Sequence, residues 1–597
     1  MEAVPELQAL FDRLQMELYG PPDPRLSDLT ETENAAGAFT TTGSKCLDFF
    51  ATVVRDTSVE TVLKAFRDAW NESPEKAVKL LLNLRDIRGG KGEKKVSLVL
   101  LYALSCWKPL TYLANLQRFI DVGCYKDLLF IAELATRTAA AEITQFERVA
   151  QLNHYDDVGT AVELKILACQ LLNDEQALKE DEMAGISLCA KWTPTENTHF
   201  DRQPLRFARK ISKAMGVKKP EYRKRVSALR AHLAVLERLM CTGQYDDIIF
   251  RQLPAKAHRQ FRKAFGRVMN KKRIHSDDRV GLSMRYDEYL AQLTEGKDTI
   301  KSTGTQPHEL VKVYLSGGGG GKDLTIEGQW KDMMSKLAES GRFKHTQAVC
   351  DVSDSMAGTP MQVAIALGLV VAELTAPPFR NQIITFSAQP VLHTIKGRTL
   401  CDRVADLRTM PWGSNTDLLK VFDLILRRAK RDRDAPMIEQ LFIFTDMQFD
   451  EAKGPQARNW ETTYQIICAM FEKAKFAVPK IVFWNLRATG NSFPVQKDQA
   501  GTALLSGFSA QMMKAFLAAE DTSAETFNPV AVMNAALEKY DVAAIFPVER
   551  TPVSAKQAGV RSAFPRIQLL VEEFMVAKKV PKKKKVQPKK PVKMRIR

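Results

Sequence analysis

Apolar residues recur at every third or fourth position from about residue 59 to residue 310, and this spacing predicts a series of amphipathic helices. Strand-like alternation is scarce there, and short turns such as residues 88–92 and 121–123 separate the helical stretches. Helices joined by short turns are typical of stacked helical pairs, so the pattern predicts an all-α, HEAT-like repeat region. The spacing is clearest at Val62, Leu63, Phe66 and Trp70, and at Leu229, Leu233, Leu236 and Leu239.

The pattern changes after a run of glycines at residues 317–321. Four short apolar runs typical of buried strands follow, at residues 346–350, 382–386, 440–444 and 480–484. Helical patterns, for example at residues 361–374 and 418–429, lie between them. Strands that alternate with helices predict a doubly wound α/β domain with a parallel sheet. Ligands of such sheets bind beyond the carboxyl ends of the strands, at the point where the strand order reverses.

These changes predict six segments along the chain. We expect an extended lead-in (1–45), an α-helical repeat domain (46–315), a Gly-rich linker with a connecting helix (316–341), an α/β domain (342–545), a helical segment (546–577) and a disordered basic tail (578–597). Lys322 follows the glycine run, as in a phosphate-binding loop. That motif is excluded, because Ser316 stands where it needs glycine and Asp323 where it needs serine or threonine.

Composition excludes several classes of protein. Of the 597 residues, 45% are apolar and 26% are charged, and no apolar run reaches the roughly 18 residues of a membrane span. We therefore expect a folded protein with no membrane partner. The nine cysteines are scattered and form no C-x-x-C pair, which favours a reducing, intracellular compartment over a disulfide framework.

The net charge of +17 is concentrated in two segments. Residues 202–273 hold twenty-one Lys and Arg against four acids, and residues 578–597 hold eleven against none. The remainder of the chain is acidic, and such segregation is typical of polyanion binders. A solvated helix face over an aromatic core explains Phe207, Phe261 and Phe265 better than base stacking does, but leaves the excess charge unexplained. The predicted nucleic-acid-binding residues are Arg202, Arg206, Arg209, Lys210, Lys213, Arg259, Arg262, Lys263 and Arg267.

A group of oxygen-bearing side chains follows the predicted strands. Asp351, Ser353 and Ser355 form a D-x-S-x-S motif directly after the first strand. Thr416 lies in a Gly-Ser-Asn-Thr loop that opens a helix, and Asp446 follows the strand at 440–444. Carboxylates and hydroxyls are hard ligands, suited to Mg²⁺ or Mn²⁺ rather than to zinc.

These three loops resemble the metal-ion-dependent adhesion site of von Willebrand factor A (vWA) domains. The resemblance implies a Rossmann-like vWA fold for residues 342–545. It also implies that Asp351, Ser353, Ser355, Thr416 and Asp446 form the metal shell, with a partner's carboxylate at the open position. A phosphatase of the haloacid-dehalogenase type is disfavoured, because Ser353 replaces the second aspartate of that motif.

Four further segments resemble the DUF2828 family of plants, fungi and large DNA viruses. They are residues 84–93, 187–194, 253–257 and 504–509. The combination of a helical platform with an A domain is similar to the Ro/TROVE proteins, which implies binding of structured or single-stranded RNA.

The tail has two interpretations. Lys582, Lys583, Lys584 and Lys585 resemble a basic nuclear-import signal, which implies a nuclear or nucleocytoplasmic protein. A disordered arm that binds nucleic acid nonspecifically explains the same residues.

Two functional classes follow from these features. The first is a ribonucleoprotein scaffold that binds RNA on its basic helices and a protein partner through the metal. The second is a metal-dependent protein adaptor without a nucleic-acid role. We expect no enzymatic activity, because no nucleophile–base pair or zinc signature is visible.

Overall fold

The computed structural model describes residues 28–140, 161–182, 185–270, 273–274, 276–315, 321–386, 390–410, 417–449, 463–488, 492–518 and 526–545. Thr416, the predicted helical segment 546–577 and the basic tail lie outside these ranges.

The described chain begins with a hairpin of strands β1 (Leu29–Glu31) and β2 (Gly37–Phe39). The hairpin is tied to the C-terminal half, because Phe39 forms an antiparallel bridge with Phe493 and the Thr32 hydroxyl donates to the Phe449 carbonyl oxygen at 2.7 Å. The lead-in predicted as extended is therefore, from residue 28 onward, a short hairpin fixed by long-range contacts.

The N-terminal half is helical, as predicted. Short turns separate most of its helices, and serine caps mark the first three helix starts: Ser44 accepts from the Leu47 N–H, Ser58 from the Thr61 N–H and Ser73 from the Lys76 N–H. A small hairpin, β3 (Met269–Asn270) with β4 (Arg273–Ile274), interrupts the series. The helices are α1 (Lys45–Thr52), α2 (Val59–Glu72), α3 (Pro74–Arg85), α4 (Lys94–Trp107), α5 (Pro109–Val122), α6 (Lys126–Ala140), α7 (Val162–Lys179), α8 (Cys189–Trp192), α9 (Phe207–Ala214), α10 (Lys219–His232), α11 (Leu236–Thr242), α12 (Ala255–Phe265), α13 (Asp277–Glu295), α14 (Pro307–Leu315) and α15 (Leu324–Ala338).

The C-terminal half contains a six-stranded mixed sheet. Its strands are β5 (Thr346–Asp351), β6 (Gln382–Phe386), β7 (Val391–Thr394), β8 (Gln440–Thr445), β9 (Lys480–Asn485) and β10 (Thr502–Ser506), in the order β10-β9-β8-β5-β6-β7. All four strands predicted from apolar runs are present. The sheet is not wholly parallel, because the edge strand β7 forms an antiparallel hairpin with β6.

Every residue of β5 and of β10 is buried, so both faces of the sheet are covered along these two strands. The helices that follow the first strand are α16 (Thr359–Leu374), α17 (Leu400–Leu407), α18 (Leu418–Arg431), α19 (Thr463–Ala474), α20 (Lys514–Ala518) and α21 (Pro529–Glu538).

The two halves share one hydrophobic core. Helix α1 packs on β10 and β9, and α14 packs on α16, although α1 and α14 belong to the helical half. Buried side chains from Ala36 to Tyr540 form a single cluster. The sequence pattern changes near residue 342, as predicted, but the hydrophobic core continues across that boundary.

A second, smaller core lies within the helical half, around Phe250, Phe265 and Tyr286. His258 is buried in this region, where its Nε2 lies 2.8 Å from the Phe250 carbonyl oxygen and its ring stacks on Tyr289. Burial lowers the pKa of His258 to about 4, so the ring is neutral and structural at pH 7.

Within the described ranges, no helix is both long enough and apolar enough to cross a membrane. The nine cysteines are free thiols.

Candidate functional site

The candidate metal site lies at the carboxyl edge of the sheet, between β5 and β8. These strands are neighbours in space but not in sequence, so the strand order reverses between them. Asp351 ends β5 and Thr445 ends β8, and the Thr445 hydroxyl donates to Asp351 Oδ2 at 2.8 Å. The predicted switch point therefore holds the first aspartate of the motif.

The serines of the motif continue from Asp351. The Ser353 N–H donates to Asp351 Oδ1 at 3.0 Å, which turns the chain back over the end of the strand. The Ser353 and Ser355 hydroxyls lie 3.0 Å apart. Ser353 is buried and Ser355 is exposed, so the hydroxyl pair runs from the interior towards solvent.

Asp446, immediately after β8, supplies the second carboxylate. It is fully buried, and its Oδ1 accepts from the Gln448 N–H at 3.2 Å. Arg487, beyond the end of β9, places its guanidinium 3.8 Å from Asp446 Oδ2 and also donates to the Ser355 carbonyl oxygen. An arginine thus joins the two aspartate loops at this edge.

Burial raises the pKa of Asp351 from 3.8 to about 6, and the neighbouring Asp446 carboxylate acts in the same direction. Hydrogen bonds from Ser353 and Thr445 oppose the shift. Two carboxylates in one buried place repel each other when ionised, and a cation between them relieves the repulsion.

The donor atoms described here fit a hard divalent cation, since all are carboxylate or hydroxyl oxygens. Within the described residues, no cluster of three or more His, Cys, Asp or Glu side chains could hold a metal, so a cation here would depend on the serine and threonine hydroxyls. Sequence reasoning missed Thr445 and Arg487. Each stands at or just past the end of a strand, the only signal that could have drawn attention to them.

The structure divides the predicted basic residues into exposed and engaged groups. The exposed group consists of Arg202, Arg206, Arg209, Lys213, Lys263 and Arg267. Arg259 pairs with Glu309 at 2.9 Å, Arg262 pairs with Asp323 at 3.2 Å, and Lys210 is half-buried with its ammonium 5.7 Å from the centre of the Phe207 ring. Burial lowers the pKa of Lys210.

The aromatic side of these helices is structural. Phe207 is buried and stacks on Phe200, with ring centres 6.1 Å apart, while Phe265 is buried in the smaller core. Helix α9 contributes to the large core and α12 to the small one. The predicted basic residues therefore belong to two separately packed regions.

The protein is thus of mixed class: a helical half shares its core with an α/β half. The α/β half carries an oxygen-rich site at the edge of its sheet. The chain belongs to the family described as "Domain of unknown function (DUF2828)", which matches residues 32–163 and 160–343. Residues 345–557 match a second family, described as "Domain of unknown function (DUF7788)".

A viral relative supports this assignment along most of the chain. "Uncharacterized protein L728" of Acanthamoeba polyphaga mimivirus is 39% identical over 529 residues, which cover 87% of this chain and 89% of the relative. Among solved structures, the Ro (RSR) protein of Deinococcus radiodurans aligns with 84% of this chain and 100% of its own, at 13% identity and a TM-score of 0.29. That score is too low to infer a common fold.

Proposed function

We propose that this chain is a non-enzymatic RNA-binding scaffold whose α/β half, a vWA-like domain, recruits a protein partner through a divalent cation. The observation that carries the proposal is the pair of fully buried carboxylates, Asp351 and Asp446, beside three hydroxyls at the switch point. Arg487 places its guanidinium 3.8 Å from Asp446 Oδ2, at the solvent side of this pair.

Asp351, Ser353, Ser355, Thr416 and Asp446 are the residues proposed to hold Mg²⁺ or Mn²⁺. When bound, the cation would supply an electrophilic position for the carboxylate of a partner protein. The protein's own contribution is to fix the oxygens: Thr445 and the Ser353 N–H hold the two oxygens of Asp351, and Arg487 holds the Ser355 loop.

Substituting Asp351 by alanine should weaken Mn²⁺ binding at least about 100-fold, since even partners outside a metal's direct shell contribute 10- to 100-fold. Asp354→Ala is the matched control, because Asp354 is an exposed aspartate of the same loop. Titration calorimetry of both variants with Mn²⁺, with Asp446→Asn as a milder second variant, tests the site. Equal affinity in wild type and the Asp351→Ala protein would refute it.

The RNA-binding part of the proposal rests on the exposed basic residues of and around α9. We expect Arg209→Ala with Lys213→Ala to weaken single-stranded RNA binding and to lower the slope of log K against log salt by about 1.4, at roughly 0.7 per phosphate contact. Lys64→Ala with Arg67→Ala is the control, since these two residues are exposed on α2, outside the basic segment. A slope that falls equally in both double variants would contradict this assignment.

The adaptor function is the second candidate, and the ion pairs of Arg259 and Arg262 favour it. Both guanidiniums meet carboxylates of their own chain, so their charge is partly neutralised before any ligand arrives. An adaptor would bind RNA no better than duplex DNA at physiological salt, whereas a scaffold of the proposed kind prefers RNA. The tail, as an import signal or a nonspecific arm, remains a separate prediction.

A further inference from the structure

A cleft of about 440 Å³ lies where the C-terminal end of α13, helix α15 and helix α17 meet. Its volume lies within the range of small-molecule sites in proteins. It is separate from the strand-edge site, since none of the proposed metal ligands lines it.

The charge of this cleft is strongly positive. Two acids, Glu327 and Glu373, face it together with six basic side chains, which gives a net charge of +4 among the lining residues. The basic residues come from different segments and include members of the loops before β5, β6 and α17: Lys322, Lys331, Arg342, Arg380, Arg398 and Arg403.

Both acids are bound to groups of the protein itself. Glu327 accepts from the Leu400 N–H at 2.8 Å and from the Cys401 N–H at 3.0 Å, so it occupies the N-terminus of α17. Glu373 accepts from the Trp330 indole at 3.0 Å and pairs with Arg403. Both carboxylates are therefore held in place by hydrogen bonds and an ion pair within the walls of the cleft.

Five cations of the cleft remain after the Arg403–Glu373 ion pair. Within the described part of the chain, no acidic side chain forms an ion pair with Lys322, Lys331, Arg342, Arg380 or Arg398. Like charges around one concave site repel each other and focus the potential inside it. A multiply charged anion would relieve that repulsion.

The cleft also has an apolar part. Trp330, Met334 and Leu374, all buried, contribute to its lining. A ligand that fits both parts carries several negative charges at one end and a flat, weakly polar group at the other.

We propose that this cleft binds a nucleoside triphosphate, with the phosphates among the arginines and lysines and the nucleoside against the apolar wall. Arginine recognises phosphate through paired, charge-assisted hydrogen bonds. The site is independent of the proposed metal and RNA functions.

The test is calorimetric titration of the full chain with ATP and, separately, with inorganic tripolyphosphate, without divalent cations. Arg342→Ala with Arg380→Ala should weaken ATP binding by about tenfold or more, since charge-assisted hydrogen bonds to phosphate are roughly twice as strong as neutral ones. Lys430→Ala with Arg431→Ala, two exposed residues at the end of α18, is the charge-matched control and should leave binding unchanged. Glu373→Gln should tighten binding severalfold, because it removes one negative charge from the cleft.

Tighter binding of ATP than of tripolyphosphate supports the nucleoside contact, and equal binding overturns that part of the proposal. Equal weakening in the test and control pairs overturns the site itself, as does an absence of ATP binding by the wild type. If single-stranded RNA binds more tightly than ATP, and its binding is weakened by the same two arginine substitutions, the cleft is an RNA site and the nucleotide proposal is wrong.

Discussion

Replacing Gly90 with alanine is expected to lower the free energy of unfolding by at least about 3 kcal/mol, at the upper end of what overpacking costs. A Cβ at this position would overlap the carbonyl oxygen of Asn83 and lie 3.0 Å from the Tyr540 hydroxyl. The Asn83 carbonyl belongs to α3 and accepts from the Lys91 N–H at 2.9 Å, so relief requires movement of backbone.

The neighbouring Gly89 provides the control for this prediction. A Cβ there would meet the Lys539 ammonium at 2.6 Å, but that group is the end of a flexible, half-exposed side chain that can move aside. We expect Gly89→Ala to cost less than about 1 kcal/mol. Thermal unfolding of the two variants, followed by circular dichroism, compares them directly. Similar midpoints for both would show that the loop after α3 yields more easily than its contacts indicate.

Lys91 should make the stability of the protein depend on pH between about 7 and 10.5. Its side chain is fully buried, and its ammonium donates to the carbonyl oxygens of Phe50 and Val53 and, at 2.7 Å, to the Ser506 hydroxyl. Burial lowers the pKa of Lys91 from 10.5 to about 7, and the nearby Glu93 carboxylate opposes the shift.

The direction of the effect follows from proton counts. Below pH 7 the lysine is protonated in both the folded and the unfolded chain, so it adds no pH dependence. Between pH 7 and 10.5 the unfolded chain holds a proton that the folded chain has released, so the folded state gains up to about 1.4 kcal/mol per pH unit.

Urea unfolding of wild type and Lys91→Met across this pH range measures the difference. At pH 9 the folded lysine is a neutral amine with two N–H groups, so we expect the variant to lose two donated hydrogen bonds of roughly 1 kcal/mol each and to be less stable by about 2 kcal/mol. The variant's stability should also lack the rise with pH. Lys95→Met, at an exposed position in the first turn of α4, should keep the wild-type slope. A slope unchanged by Lys91→Met would mean that Lys91 does not titrate in this range.

Much of the architecture could be predicted from local patterns. Short runs rich in apolar residues predicted β5, β6, β8 and β9, because strands buried on both faces lose the alternation of exposed strands. Strand β7 escaped notice because it is a half-buried edge of four residues that contains His393. Strand β10, five buried residues long, also lies outside the four predicted strands.

The long-range contacts were beyond the reach of sequence reasoning. The aspartates could be placed at strand ends, but the Thr445 bond to Asp351 depends on β8 lying beside β5. Helical spacing likewise could not show that Arg259 forms an ion pair within the chain while Arg209 is exposed. The glutamate that pairs with Arg259 stands 50 residues further on, and only the folded chain brings the two together.

The Lys91–Ser506 contact joins residues 84–93 to residues 504–509, two segments from different halves of the chain. Together with α1 packed on β10, it gives the glycine run at residues 317–321 a practical meaning for those who choose expression boundaries. A fragment that ends at the glycine run would expose the apolar side of α1 to water. A fragment that begins there would lose the helix that covers its edge strand β10. Co-expressed as two separate polypeptides, the pieces should instead find each other and purify as a single noncovalent complex.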